Sequence, residues 1–278
     1  MSKAREDYIS VLTAAIADLV ENGYDSVERV SYWTRKIRDA AAKSMQAPAE
    51  MDRALRDALA SVYRRMVESG HIVQFHQGVA RFTLDKVRPQ LRAELDRRIL
   101  AAANLIKLNR QEAMEKTLRR FSGWATSIPK GGTDAAKRRE VKDEIKKPLR
   151  QLSFVERRVL IDQGHKLVSS LNDILARDGG AIAAIWHSRW RQPGYDYRED
   201  HKERDGEVYL FRSSWAREKG LVKPGRAGYA DDITQPAEEP FCRCSYVYIY
   251  TLGRLPPDML TAKGRTALAE ARDKINAG

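Results

Sequence analysis

The residues best able to do chemistry in this sequence fall in one stretch, from Trp186 to Leu252, which holds both cysteines. Cys242 and Cys244 are separated by a single residue; upstream lie His187, His201 and the pair Asp205-Gly206. Thiolates bind soft or borderline divalent metals, and two of them one residue apart can grip a single ion. His201 could add a third donor as neutral imidazole. A fourth could be His187, Asp205 or an open position holding water. The competing reading is a pair of buried cysteines with a surface histidine, and spacing alone leaves both open. Asp205-Gly206 has a plainer task than catalysis, because Gly206 can take the positive φ of a tight turn into a following strand.

Catalytic signatures are missing. The sequence has no phosphate-cradling Gly-Lys-Ser/Thr loop, no Gly-x-Ser-x-Gly elbow and no His-Glu-x-x-His, nor a His-x-Glu paired with Pro-Cys-x-x-Cys. A zinc-dependent or toxin-type enzyme is therefore the weakest of the functional readings, and a protein without enzymatic activity is expected.

With 278 residues, 42% of them apolar, the chain is long enough to bury a sizeable core in one or two domains. No apolar run approaches the ~18 residues of a membrane span. Met1 to Asp7 lead into a charged amphipathic helix, so neither a secretory signal nor a targeting peptide is expected, and folding in a reducing cytoplasm follows. Two cysteines there are metal-binding or buried rather than a disulfide framework. The net charge of +12 suits work beside nucleic acid or an acidic protein surface, and equally a well-solvated basic exterior.

Helical spacing predicts helices over residues 4–22, 26–45 and from Pro48 to Gly70. Two short apolar runs around His76-Gln77-Gly78 predict a β-hairpin over 72–84. Three helices and a hairpin is the order of a winged helix-turn-helix. A bundle that merely carries a hairpin is the plainer reading of residues 1–84. One long helix, or two end to end, follows from Asp85 to Trp124, and Ser127 to Gly132 read as a linker. Beyond it Lys137, Arg138, Arg139, Lys146 and Lys147 form a basic connector that could face nucleic acid, broken by Pro148. Ser153-Phe154-Val155-Glu156 reads as a capping box that starts a helix ending at Asp178-Gly179-Gly180. Short strands are expected at 181–186, 207–211 and 245–252, the last with Tyr246, Tyr248 and Tyr250 on one face. A charged helix closes the chain from Thr261 to Ile275. The expected fold is α+β and mostly helical: a helical domain over 1–126, a basic linker over 127–150, and a small loop-rich α+β domain over 151–278 closed by the Cys-x-Cys/His site.

In order, Trp186-His187, Arg198-x-x-His201, Asp205-Gly206 and Cys242-Arg243-Cys244 resemble the phage head morphogenesis family of Mu F-like minor head proteins. The resemblance covers roughly residues 150–252. Members with four cysteines place the second cysteine of a Cys-x-x-Cys four residues before the aspartate of Asp-Gly. Here His201 holds that place, and Arg198, which cannot ligate, holds the place of the first. The resemblance implies Zn2+ held by His201, Cys242 and Cys244 as a structural staple. It implies a virion protein in the head interior or at the portal vertex, present in the host cytoplasm during assembly. The implied partners are the portal or major capsid protein, with packaged DNA contacted by non-specific electrostatics and no membrane. The alternative is a DNA-binding protein that uses an N-terminal winged helix.

Overall fold

The computed structural model describes residues 3–23, 26–45, 49–127 and 139–276. In chain order the main elements are α1 (Lys3–Asn22), α2 (Val27–Met45), α3 (Ala49–Tyr63), α4 (Arg81–Ser127), α5 (Arg139–Asp178), β1 (Ala183–His187), α6 (Glu199–Glu203), β2 (Val208–Leu210), α7 (Trp215–Glu218), β3 (Ser245–Ile249) and α8 (Ala262–Asn276). The fold is mostly helical α+β, as the sequence predicts, with one three-stranded sheet in the C-terminal region. Among the described residues no helix is long and apolar enough to cross a membrane.

The chain divides into two compact units, and the division is not the linear one expected. One unit joins residues 1–57 to 99–160; the other joins 58–98 to 161–278. α4 and α5 each contribute residues to both. The expectation of domains at 1–126 and 151–278 assumed that a turn-rich linker marks a boundary. Each crossing between the units instead falls inside a helix: α3, α4 and α5 in turn.

In the first unit, Tyr8, Leu12, Ala15, Ile16 and Leu19 recur on one face of α1 and are buried in a cluster with Ile37, Met114, Phe121, Ile145 and Leu149. Gly23, with φ of 80°, ends α1. The Ser26 hydroxyl accepts from the Arg29 N–H at 3.2 Å and caps α2. Ser153 to Glu156 do not start a helix, because α5 is already running from Arg139 and passes through Pro148. Ile145, Leu149, Leu152 and Val159 are buried along it, so apolar spacing prevails over the local capping signal. Pro148 leaves the Glu144 carbonyl without its helical donor, and the Arg120 guanidinium supplies the missing bond. Glu156 does not reach back to a cap; it meets the buried Arg110 guanidinium at 2.6 Å.

The second unit contains the sheet, in the order β2-β1-β3, antiparallel throughout. One face carries Trp186, Tyr209, Phe211, Tyr246 and Tyr248 of β3 and the following Tyr250 against Ala176 of α5. The other carries Ala183, Leu210 and Ile249 against Leu221, Met259 and Leu260, with Leu268 of α8 at its margin. α5 ends where expected: the N–H of Gly180, at φ of 86°, bonds to the Arg177 carbonyl at 3.1 Å, and Ala181 N–H bonds to Ala176 at 2.9 Å. Residues 72–84 form no hairpin. His71–Phe75 is a short 3-10 turn, and α4 begins at Arg81. Leu84, Val87, Leu91 and Leu95 are all buried at helical spacing, which outweighs the alternation around His76-Gln77-Gly78. The wing of the winged-helix reading is therefore absent.

Candidate metal centre

Three elements deliver the site. β1 buries Trp186, the short α6 carries His201, and the loop entering β3 brings Cys242 and Cys244. The Trp186 ring stands edge-on to the His201 imidazole, with centroids 5.2 Å apart. His201 is 2% exposed, and its Nδ1 lies 3.5 Å from the Sγ of Cys242 and 3.5 Å from that of Cys244. The three side chains form a buried group that could hold a metal ion.

Their surroundings match that task. Nε2 of His201 is buried without a hydrogen-bond partner, and it faces the carboxylates of Asp200 and Glu239 at 3.8 and 3.7 Å. A ligating histidine commonly turns its second ring nitrogen to such a carboxylate. Glu239 is held in turn by Arg198 at 2.6 Å, whose guanidinium also donates to the Pro240 carbonyl at 3.0 Å. The N–H groups of Ala237 and Cys244 each point at the Cys242 sulfur from 3.4 Å. The hydrogen bond from the Cys244 thiol, against the effect of burial and with those two N–H groups, brings the Cys242 thiol down to about 5. Cys244 is correspondingly raised, by that same bond to Cys242 and by burial. The pair is thus poised to carry one thiolate and one thiol, and a cation would favour the loss of the second proton.

The backbone is strained beside this group. Ala237 and Phe241 have φ of 66° and 61°, a region that side-chain-bearing residues rarely enter. Buried Asp162 fixes the second of them by accepting from the Phe241 N–H at 2.6 Å. The Tyr195 hydroxyl accepts from the Arg243 N–H at 3.0 Å.

His201, Cys242 and Cys244 come together as the sequence expects, but His187 does not join them. It ends β1 with its side chain exposed, because successive strand residues alternate faces and Trp186 takes the inward one. Asp205 stands outside the group as a loop anchor. Its carboxylate accepts from the Ser188 N–H and from the Trp190 indole, each at 2.9 Å. Burial opposes its ionisation, but those two bonds outweigh it and hold the carboxyl below its usual range. Gly206 has φ of 85°, and its N–H bonds to the Trp186 carbonyl at 2.8 Å, which is the expected turn.

Of the basic connector, Lys137 and Arg138 lie outside the described residues, and Arg139 opens α5. Lys146 and Lys147 lie on α5, each with a polar partner. Lys146 donates to the Thr13 hydroxyl at 2.8 Å, and Lys147 pairs with Glu144 at 3.2 Å. Sequence reasoning missed Asp162, Tyr195, Ser188 and Glu239. None carries a motif, and Asp162 stands 79 residues from the N–H it holds.

Fold and site together define a mostly helical α+β protein whose loop-rich region closes over a buried His/Cys/Cys group. The chain matches no protein-family model, no curated protein and no solved structure.

Proposed function

We propose that this chain is a phage minor head protein, associated with the portal or the capsid interior, in which a structural Zn2+ held by His201, Cys242 and Cys244 staples the loops that lead into β3. The observation that carries the reading is the meeting of those three residues beside Trp186, in a chain whose Arg198-x-x-His201, Asp205-Gly206 and Cys-Arg-Cys motifs follow the order of the family it resembles. The donor spacing agrees with zinc. Ligands at about 2.3 Å (sulfur) and 2.0 Å (nitrogen) across a tetrahedral angle stand about 3.5 Å apart, and each of the two Nδ1 to Sγ distances is 3.5 Å.

Bound there, the ion would cross-link the loop before β3 to α6 and add folding free energy. His201 would ligate through Nδ1, with Nε2 turned to Glu239. Cys242 would ligate as the thiolate its two N–H donors favour. No reaction is proposed. The net charge of +12 suits a protein packed near a genome through sequence-tolerant contacts. The alternative through a winged helix has lost its hairpin.

Two measurements test the reading. Elemental analysis of protein purified without chelator should give about one zinc per chain, and little in Cys242→Ser. Mass spectrometry of purified virions should find the chain in the particle. Its presence in lysate alone would overturn the head assignment whatever the metal content.

A further inference from the structure

We propose that the free edge of β3 is a docking groove for an acidic, extended peptide segment of a partner protein, which adds to the sheet as a fourth strand beside Tyr246 and Tyr248. The proposal rests on the sheet's geometry and the charge of the groove, and is independent of the function proposed above.

β3 is an edge strand, paired on one side only with β1. Which of its backbone groups are free follows from the bonds on either side of β1. Trp186 donates to the Glu207 carbonyl at 3.0 Å and accepts from Gly206 at 2.8 Å, so its backbone faces the β2 side. Antiparallel strands alternate, so Ala183, Ile185 and His187 face β3, where they meet Ile249, Val247 and Ser245. The Ile249 carbonyl indeed accepts from the Ile182 N–H, at 2.7 Å. Tyr246 and Tyr248 must then turn their N–H and C=O groups away from β1. Beyond the sheet, neither N–H meets a backbone acceptor among the described residues. Such an edge is a template for another strand, and proteins usually blunt it.

This edge opens into a cavity of about 810 Å3 that touches every residue from Cys244 to Tyr248. Five residues of strand span roughly 14 to 17 Å, the reach of a short extended peptide rather than of a compact small molecule. Part of the wall is apolar, and Phe75 and Val247 remain 61% and 46% exposed there. The polar part is one-signed. Arg65, Arg189 and Arg243 line the cavity and no carboxylate does. None of the three arginines has an ion-pair partner among the described residues, unlike Arg98, Arg177 and Arg198 of the same unit. Free main-chain donors and acceptors, apolar contacts and guanidinium groups without a carboxylate partner together select an extended segment in which acidic residues alternate with apolar ones.

A test uses the full-length protein as bait for a random peptide library, followed by synthesis of the strongest binder. The enriched peptides should alternate Asp or Glu with apolar residues. The double charge reversal Arg65→Glu/Arg189→Glu, at two exposed positions, should weaken that peptide by about tenfold or more while leaving the melting temperature unchanged. N-methylation of alternate peptide residues should abolish binding in one parity and spare the other, because only one set of N–H groups can face β3. Enrichment of no peptide, or of neutral or basic ones, would overturn the proposal. So would indifference to the charge reversal, or tolerance of N-methylation in both parities. Binding of benzoate with no binding of acidic peptides would also overturn it, and would assign the cavity to small organic anions.

Discussion

The unit formed by residues 1–57 and 99–160 and the unit formed by 58–98 and 161–278 reach a stable interior by different routes. In the first, every described element is a helix, and repeated apolar positions of α1, α2, α4 and α5 meet in one cluster. In the second, a small sheet is followed by long irregular connections. From Ser188 to Cys244 buried apolar residues such as Leu210, Phe211 and Val222 are joined by polar anchors: Asp162 to Phe241, Asp205 to Trp190, Arg198 to Pro240, Tyr195 to Arg243. A helical core spreads its stabilisation over many interchangeable contacts. A loop region held by a few anchors places it on particular residues, and the His/Cys/Cys group sits where those anchors converge.

The sharpest way to break that contrast is to make the helical unit depend on one residue. Arg110→Met leaves Glu156 buried without the guanidinium that pairs with it and should cost about 3–5 kcal/mol in urea unfolding. Replacing both residues by methionine should recover much of the loss. A smaller cost from the single change would place that pair among the interchangeable contacts.

Gly264→Ala probes the second unit. A Cβ there would collide with the Leu221 carbonyl oxygen, and backbone cannot yield as a side-chain tip can. A loss of about 1–3 kcal/mol is expected, with hydrogen-exchange protection falling in α8 and the strands while α1 and α2 keep theirs.

A pH titration separates the units more gently. Burial holds the His76 imidazole below its ordinary 6.5, although its bond to Asn172 opposes this. The unfolded chain therefore takes up a proton before the folded one does. His76 costs nothing well above pH 6.5; stability falls as pH drops below that value, until the folded pKa is passed. The slope should not exceed about 1.4 kcal/mol per pH unit, and His76→Gln should flatten it.

The smallest expected effect has the opposite sign. Ala237→Gly relieves a positive φ beside Cys242 and should stabilise the protein by up to about 1 kcal/mol, read as a rise in melting temperature.

Elements whose signal is local are legible in the residues alone. Helical spacing marks α1, α2 and α8, paired glycines mark the end of α5, and alternation marks β3, because each reports which side of a backbone must leave water. The sequence also singled out His201, Cys242 and Cys244, whose residue types are rare enough here to stand out. Local signals misled where two competed: the hairpin at 72–84, the capping box at Ser153 and the break at Pro148 all gave way to longer apolar periodicities along α4 and α5. Packing in three dimensions is what turns His187 outward, sets Glu239 and Arg198 behind His201, and lets Asp162 hold Phe241. Those are choices among many equivalent polar side chains, made by which of them the fold carries to within bonding distance.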